Sequence, residues 1–169
     1  MDNLIFRKLK EPELKIAYEI HCERVNDMLA KGIRQWLNPI EYSKLEERQK
    51  KEENFGLFRG ENLEVFLSLT KREDYHEWSH ILTTPGTIWL NTVSVNPKSK
   101  HKGLGRIAAE HAIEYLKKNG VPELYLDCVI NDGFLVNYYK DLGFEEVAET
   151  EAIYRSGTFK VALMRLKIT

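Results

Sequence analysis

Residues 87–106 read TIWLNTVSVNPKSKHKGLGR, and this stretch decides how the chain folds. Its β-branched and aromatic residues predict a strand over 87–95, which Asn96-Pro97 ends because proline cannot donate to a sheet ladder. A basic loop then leads to Gly103 and Gly105. Apolar residues recur at positions 104, 107, 108, 112, 115 and 116, the spacing of one helix face, so we expect a helix over 104–118.

The two glycines at the start of this helix predict an anion site. Gly103 and Gly105 let a ligand approach the backbone closely, and the first N–H groups of a helix have no partner within the helix. The helix dipole adds a partial positive charge at the same end. Because Lys100, Lys102 and Arg106 flank the glycines, a pyrophosphate group is the natural ligand.

The rest of the pattern predicts a mixed α/β fold in a single domain, 1–169. We expect a mostly antiparallel central sheet with hairpins at both ends, flanking helices and one parallel crossover through the helix 104–118. The helix 40–53 has alternating charges and few apolar residues, so we interpret it as a solvated surface helix. The other predicted helices are 12–30 and 134–142, and the other strands are 4–9, 55–58, 63–69, 123–130, 144–154 and 158–168.

Charge and cysteine content exclude several classes of protein. The formal net charge is −1, from 25 basic and 26 acidic residues, which argues against a nucleic-acid-binding or membrane-surface protein. Cys22 and Cys128 have no metal-type spacing and suggest no disulfide framework. His76 and His80 are four residues apart, but no third ligand is evident, so we expect no metal. No signal peptide or apolar span is evident, and we expect a cytoplasmic protein.

Two segments carry a resemblance to a known family. Lys100-x-x-Gly103-x-Gly105, after a Val-Ser-Val strand and before an amphipathic helix, resembles the acyl-CoA-binding motif of the GNAT superfamily of N-acetyltransferases. The segment from Tyr139 to Phe144 resembles the family's Tyr-x-x-x-Gly-Phe segment on its next helix. Both come in the family's order, with the predicted strand 123–130 between them.

This resemblance implies a fold, a cosubstrate and a reaction. The fold would be a single GNAT-like domain, with acetyl-CoA bound between the strands 87–95 and 123–130. A small-molecule or peptide amine would attack the thioester directly in a ternary complex. Walls of the acceptor pocket would come from Gly32–Trp36 and the last hairpin. Neither a nucleic acid nor a membrane is implied as a partner, and a homodimer is compatible with the family.

The resemblance also assigns residues to the cofactor. Backbone groups of Val93, Ser94 and Val95 would pair with the pantetheine arm, and an amide there could polarise the thioester carbonyl as an oxyanion donor does. Asn131 stands where the family often has an asparagine that contacts this arm, with Asp132 as the alternative counterpart. The pyrophosphate role falls to the residues of the basic loop and the glycine pair: Lys100, His101, Lys102, Gly103, Leu104, Gly105 and Arg106.

Tyr139 is the predicted catalytic residue. In the family this tyrosine faces the sulfur of CoA, where its phenol can donate a hydrogen bond or a proton to the departing thiolate. A phenol with a pKa of about 10 is a weaker acid than a thiol of about 8.5, which favours a hydrogen bond over full transfer. Tyr138 is the adjacent alternative, and packing in the core is the other role open to Tyr139.

The general base is not assigned by the sequence. Many relatives carry glutamate where this chain has Asn91, which cannot act as a base. Asp127, Glu145 or a chain of waters could take the proton. The missing glutamate supports an alternative function, a non-catalytic acyl-CoA-binding module of the same fold.

A second alternative is a dinucleotide-binding fold. Gly103-x-Gly105-x-x-Ala108 satisfies the dinucleotide fingerprint, with Asp127 as a ribose-binding acid. The intervening residues 96–102 and the short length of chain after Gly103 argue against it.

Overall fold

The computed structural model describes residues 3–33, 38–71, 78, 86–130, 133–154 and 157–168. Within these residues the chain forms seven strands and four helices. In chain order they are β1 Leu4–Lys8, α1 Leu14–Ala30, α2 Tyr42–Lys50, β2 Asn54–Arg59, β3 Asn62–Lys71, β4 Ile88–Val95, α3 Leu104–Lys118, β5 Glu123–Val129, α4 Phe134–Asp141, β6 Glu145–Tyr154 and β7 Gly157–Lys167.

These elements belong to two compact units. The first comprises Met1–Thr70 with Leu90–Ala112, and its strands are ordered β1-β2-β3-β4. The second comprises Lys71–Trp89 with Ile113–Thr169, and its strands are ordered β4-β5-β7-β6. The prediction of one domain over 1–169 stays a prediction.

The sheet has the predicted mixed character. β1 with β2, β2 with β3, β5 with β7 and β6 with β7 are antiparallel pairs. β4 pairs with β5 in parallel, in register at Ile88–Leu124 and Trp89–Tyr125. The predicted α/β fold with a mostly antiparallel sheet is therefore confirmed. The described residues do not form the doubly wound parallel sheet that the dinucleotide alternative requires.

In the first unit, α1 and α2 cover one apolar core with β2 and β3. Its buried members are Leu9, Leu14, Ala17, Ile20, Leu45, Phe58, Leu63 and Phe66. Leu45 of α2 is 0% exposed, whereas most of this helix is exposed, as expected of a solvated surface helix. The helix is also shorter than the predicted 40–53, and it presents one inward face among its charges.

In the second unit, large aromatic side chains form the core. Trp89 stacks on Tyr125 with ring centroids 5.6 Å apart, and both are buried with Trp78. Trp78 Nε1 donates to Asp127 Oδ2 at 3.3 Å. The core thus joins the parallel strands to the hairpin of β6 and β7.

The other predicted boundaries agree with the structure to within about two residues. Residues 12 and 13, predicted as the start of the first helix, belong to a short 3-10 turn over Glu11–Glu13, in which the Lys10 N–H donates to Glu13 Oε1 at 2.7 Å. Trp36, His76 and His80 lie outside the described residues. None of the helices in the described ranges has the length and apolar character needed to cross a bilayer.

Candidate active site

Asn96 shapes the loop between β4 and α3. Its N–H donates to the Glu64 carbonyl at 2.8 Å, and its Nδ2 donates to the Leu63 carbonyl at 3.1 Å, so the loop begins fastened to β3. Its Oδ1 accepts the Lys98 N–H at 3.0 Å, which turns the chain back on itself. The turn residue that ends the strand therefore also fixes where the basic loop starts.

The start of α3 has the geometry that the glycine pair predicted. Gly103 has φ +74°, and a Cβ built there would meet no atom within 4 Å. The first helical bond runs from the Ile107 N–H to the Gly103 carbonyl at 3.2 Å. The amides of Leu104, Gly105 and Arg106 therefore precede the helical bonding pattern and are available to an anion in the open space.

The cations of this loop lie at the surface. Lys100, His101 and Lys102 are exposed. The charge of Arg106 is partly compensated, because its Nε lies 3.2 Å from Glu110 Oε1, one helical turn further on. Lys98 lies 3.6 Å from Glu23 of α1. Of the described residues, none forms an ion pair with Lys100 or Lys102, so these two carry the least compensated positive charge beside Gly103.

The three predicted cofactor residues of β4 differ in how deeply their side chains are buried. Val93 and Val95 are half-buried, whereas Ser94 is 0% exposed. The Ser94 hydroxyl is directed to the interior, where its Oγ lies 2.9 Å from Nδ1 of His21 and donates to the Thr92 carbonyl at 3.0 Å. The Ser94 hydroxyl is therefore engaged within the protein, and the role of its backbone toward a ligand stays a prediction.

In the second unit, Tyr139 lies on the inner side of α4. It is 8% exposed, and its ring meets Tyr138 and Phe144 edge-on at centroid distances of 5.2 and 5.7 Å. Burial raises the pKa of Tyr139 well above that of a free phenol, with smaller contributions from Tyr138 and Cys128. The hydroxyl therefore keeps its proton and is a hydrogen-bond donor at neutral pH.

The two carboxylates considered as a general base already accept hydrogen bonds from other side chains. Glu145 Oε1 accepts two hydrogen bonds from Arg165, at 2.7 and 2.9 Å, and this hydrogen bonding lowers the pKa of Glu145. Asp127 accepts the Trp78 indole. Asn91 donates from Nδ2 to Thr70 Oγ1 at 2.7 Å, within the sheet. Asn131 and Asp132 lie outside the described residues, so the choice between them stays open.

Sequence reasoning missed three residues around β4: His21, Arg48 and Thr92. His21 left a signal, because it continues the apolar stripe of α1 between Ala17 and Val25 and yet is polar. No sequence signal marks Arg48 or Thr92, since Arg48 lies among alternating charges and Thr92 lies in a regular strand pattern. Their contacts are described below.

The class of protein follows from comparison with known families. The model of the acetyltransferase (GNAT) family matches residues 24–144, and the chain belongs to this family. The resemblance read from the glycine and tyrosine motifs is thereby confirmed, and membership of a family of acetyltransferases supports the predicted acyltransferase activity.

Among particular relatives, the ribosomal protein bS18-alanine N-acetyltransferase of Escherichia coli K12 is 37% identical over 57 residues. The match covers 34% of this chain and 38% of the relative, so it spans well under half of either protein.

Solved structures share the fold. The ribosomal-protein-S18-alanine N-acetyltransferase of Escherichia coli superposes with a TM-score of 0.74 at 22% identity, covering 99% of this chain and 95% of the other. A protein of Salmonella typhimurium described as an acetyltransferase, solved with its cofactor acetyl-CoA, gives 0.70 at 15% identity, covering 98% and 94%. At these identities the likeness concerns the fold.

Proposed function

We propose that this protein is an N-acetyltransferase that moves the acetyl group of acetyl-CoA to an amine. The observation that carries the proposal is the opening of α3: Gly103 has open space where a side chain would lie, the next three amides precede the helical bonds, and cations flank the glycine. A diphosphate suits such a helix start because the amides and the helix dipole both favour negative charge. In the proposal, the pyrophosphate of CoA binds to residues 100–106.

The reaction is a direct attack on the thioester. The amine nitrogen bonds to the acetyl carbon, and the carbon–sulfur bond breaks with its electron pair on sulfur. The proton released by the amine passes through water to this thiolate, which leaves as CoA thiol. Backbone groups of Val93, Ser94 and Val95 hold the pantetheine arm, with Asn131 as a further contact. The Tyr139 hydroxyl donates a hydrogen bond to the departing sulfur. Its raised pKa supports this role over full proton transfer, since the phenol holds its proton more tightly than a thiol does.

The acceptor that suits this chain is the α-amine of a peptide. An alkyl amine with a pKa near 10.4 costs roughly 4.6 kcal/mol to deprotonate at pH 7, whereas an α-amine near 7.7–8.0 costs only about 1 kcal/mol. Asn91 stands in the place of a glutamate base and is hydrogen-bonded to Thr70. A site without that base favours an amine of low pKa, because about a tenth of an α-amine is already neutral at pH 7. The bS18-alanine relatives, whose names specify an alanine amine, point the same way.

Release of CoA thiol from acetyl-CoA tests the proposal. The panel contains a peptide that begins with alanine, the same peptide with its α-amine blocked but one lysine free, and a polyamine. We expect turnover of the first peptide, with a rate that rises with pH up to about 8 as the α-amine loses its proton.

Two other outcomes have distinct meanings. Calorimetric binding of CoA without turnover of any amine would favour the non-catalytic acyl-CoA-binding module. Turnover of the lysine peptide or the polyamine, but not of the free α-amine, would keep the acetyltransferase and overturn the acceptor class.

A further inference from the structure

A set of side-chain hydrogen bonds joins α1 and α2 to the middle of β4. The Nη1 of Arg48, on α2, donates to Thr92 Oγ1 at 2.9 Å and to Ser68 Oγ of β3 at 3.2 Å. On the α1 side, Nδ1 of His21 lies 2.9 Å from Ser94 Oγ. Ser68 and Ser94 are 0% exposed and His21 is 1% exposed, whereas Arg48 and Thr92 are half-buried.

β4 is irregular where these bonds reach it. Successive side chains of a regular strand point to opposite faces of the sheet. Ser68 and Thr70 are two residues apart on β3 and share a face. Asn91 donates a hydrogen bond to Thr70. The next residue, Thr92, accepts one from Arg48, which also donates to Ser68. Two consecutive residues of β4 therefore turn to one face, which is the mark of a β-bulge.

The bulge depends on an unfavourable backbone conformation. Thr92 has φ +60°, in the left-handed region that a β-branched residue avoids. Two contacts hold it from opposite ends: Arg48 binds its side chain, and the Ser94 hydroxyl donates to its carbonyl at 3.0 Å. His21 in turn orients Ser94. The first contact therefore comes from α2, and the second depends on α1 through His21.

We infer that Arg48 is a positioning residue for acetyl transfer. With His21 acting through Ser94, it holds Thr92 in the left-handed conformation and so aims the backbone of Val93, the first residue assigned to the thioester. The inference rests on the proposed function of that strand. It adds a residue of α2 that acts through Thr92 and lies outside the set assigned to acetyl-CoA.

Pairs of variants that separate conformation from stability test this inference. Arg48→Met removes both hydrogen bonds and should lower kcat about tenfold or more, since a misplacement of about 1 Å can cost 10²-fold. The affinity for CoA, governed by residues 100–106, should change much less. Arg24→Met is the matched control, because Arg24 of α1 pairs with Asp27 on its own helix and should keep wild-type kcat.

The decisive experiment introduces glycine at position 92 and measures whether kcat recovers. Glycine adopts φ near +60° without strain, so Thr92→Gly in the Arg48→Met background should recover most of the lost kcat. Thr92→Val lacks the same hydroxyl but keeps the β-branch, and in the wild-type background it should lose kcat as Arg48→Met does. A purely structural role for Arg48 predicts that adding Thr92→Gly lowers activity further. That outcome, or wild-type kcat in a folded Arg48→Met protein, would overturn the inference.

Backbone chemical shifts of Thr92 and Val93 provide a readout that needs no turnover. They should move in Arg48→Met and in Arg48→Lys, which keeps the charge but not the planar donor group, and they return toward the bulged pattern when Thr92→Gly is added. Unchanged shifts in both arginine variants would overturn the inference even if no amine is acetylated. Absence of turnover in the wild type, with the expected shift changes, would count against the proposed function alone.

Discussion

His21 and Ser94 form a buried pair whose proton positions follow from their neighbours. Nε2 of His21 accepts the Ile40 N–H at 3.0 Å, so the ring proton lies on Nδ1 and is donated to Ser94 Oγ at 2.9 Å. The Ser94 hydroxyl donates onward to the Thr92 carbonyl. A second ring proton would face the Ile40 N–H, and burial together with the nearby Arg48 charge lowers the pKa of His21 to about 4.

This neutral histidine predicts a loss of stability in mild acid. Its pKa is about 6.5 in the unfolded chain and about 4 in the folded one, so the unfolded state binds more protons between these values. Its contribution is fully present above pH 6.5 and is lost as the pH falls toward 4, at most about 3 kcal/mol in the free energy of unfolding. Urea unfolding from pH 7 to pH 5 measures the upper part of this window.

His21→Gln is the comparison for the acid effect. Glutamine does not titrate, so the variant should start less stable at pH 7 and lose less on acidification. Carboxylates are common to both proteins and cancel in the difference. If both lose the same free energy of unfolding between pH 7 and pH 5, His21 is not the group responsible.

The glycine at the start of α3 should control the binding of CoA. Gly103→Glu places a side chain and a negative charge where the pyrophosphate is proposed to lie, and we expect no calorimetric binding of CoA. Strain at φ +74° adds a destabilisation of about 1–2 kcal/mol. Gly60→Glu matches this strain, because Gly60 has φ +60° and open space around it but lies in the turn between β2 and β3.

Gly60→Glu should therefore bind CoA like the wild type. Gly105→Glu provides a second test, since Gly105 lies inside α3 and outside the set of positive-φ glycines. Wild-type affinity in a folded Gly103→Glu or Gly105→Glu protein would remove the anion site from the proposal.

The charges around the loop should tune the same affinity. Lys100→Ala and Arg106→Ala should each weaken CoA binding by about twofold to fivefold, because exposed ion pairs are weak, and added salt should reduce the affinity further. Glu110→Gln should have the opposite effect, since it releases Arg106 from its 3.2 Å ion pair. An unchanged affinity in the Lys100→Ala, Arg106→Ala double variant would mean that these cations are only a solvated surface.

The sequence predicted the parts of this fold that depend on local patterns. The helix α3 and the turn at Asn96-Pro97 follow from periodicity and from proline chemistry, and both lie where expected. The left-handed backbone of Thr92 in β4 could not be predicted, because threonine favours a regular strand and its side-chain hydrogen bond comes from a residue distant in the chain. Arg48 lies 44 residues from Thr92 in the chain, and no local pattern reports such a contact.

Tyr139 is buried like a core residue and is also the proposed catalytic group. The motif located it on α4, and the structure adds its burial and its edge-on contacts with Tyr138 and Phe144. In the described part of the chain, no residue forms a hydrogen bond with its hydroxyl. Removing that oxygen should therefore leave the packing of the ring and the free energy of unfolding nearly unchanged, which separates catalysis from stability.

Tyr139→Phe should lower kcat by roughly 10–100-fold and leave the affinity for CoA nearly intact, because a hydrogen bond to a departing thiolate is needed in the transition state. The raised pKa of Tyr139 also predicts that the ratio of wild-type to Tyr139→Phe activity stays constant from pH 7 to pH 9, since the phenol remains protonated throughout. Tyr138→Phe is the control on the same helix and should do much less. If Tyr138→Phe loses turnover instead, the role belongs to Tyr138, and if neither variant loses turnover, no tyrosine of α4 assists the leaving sulfur.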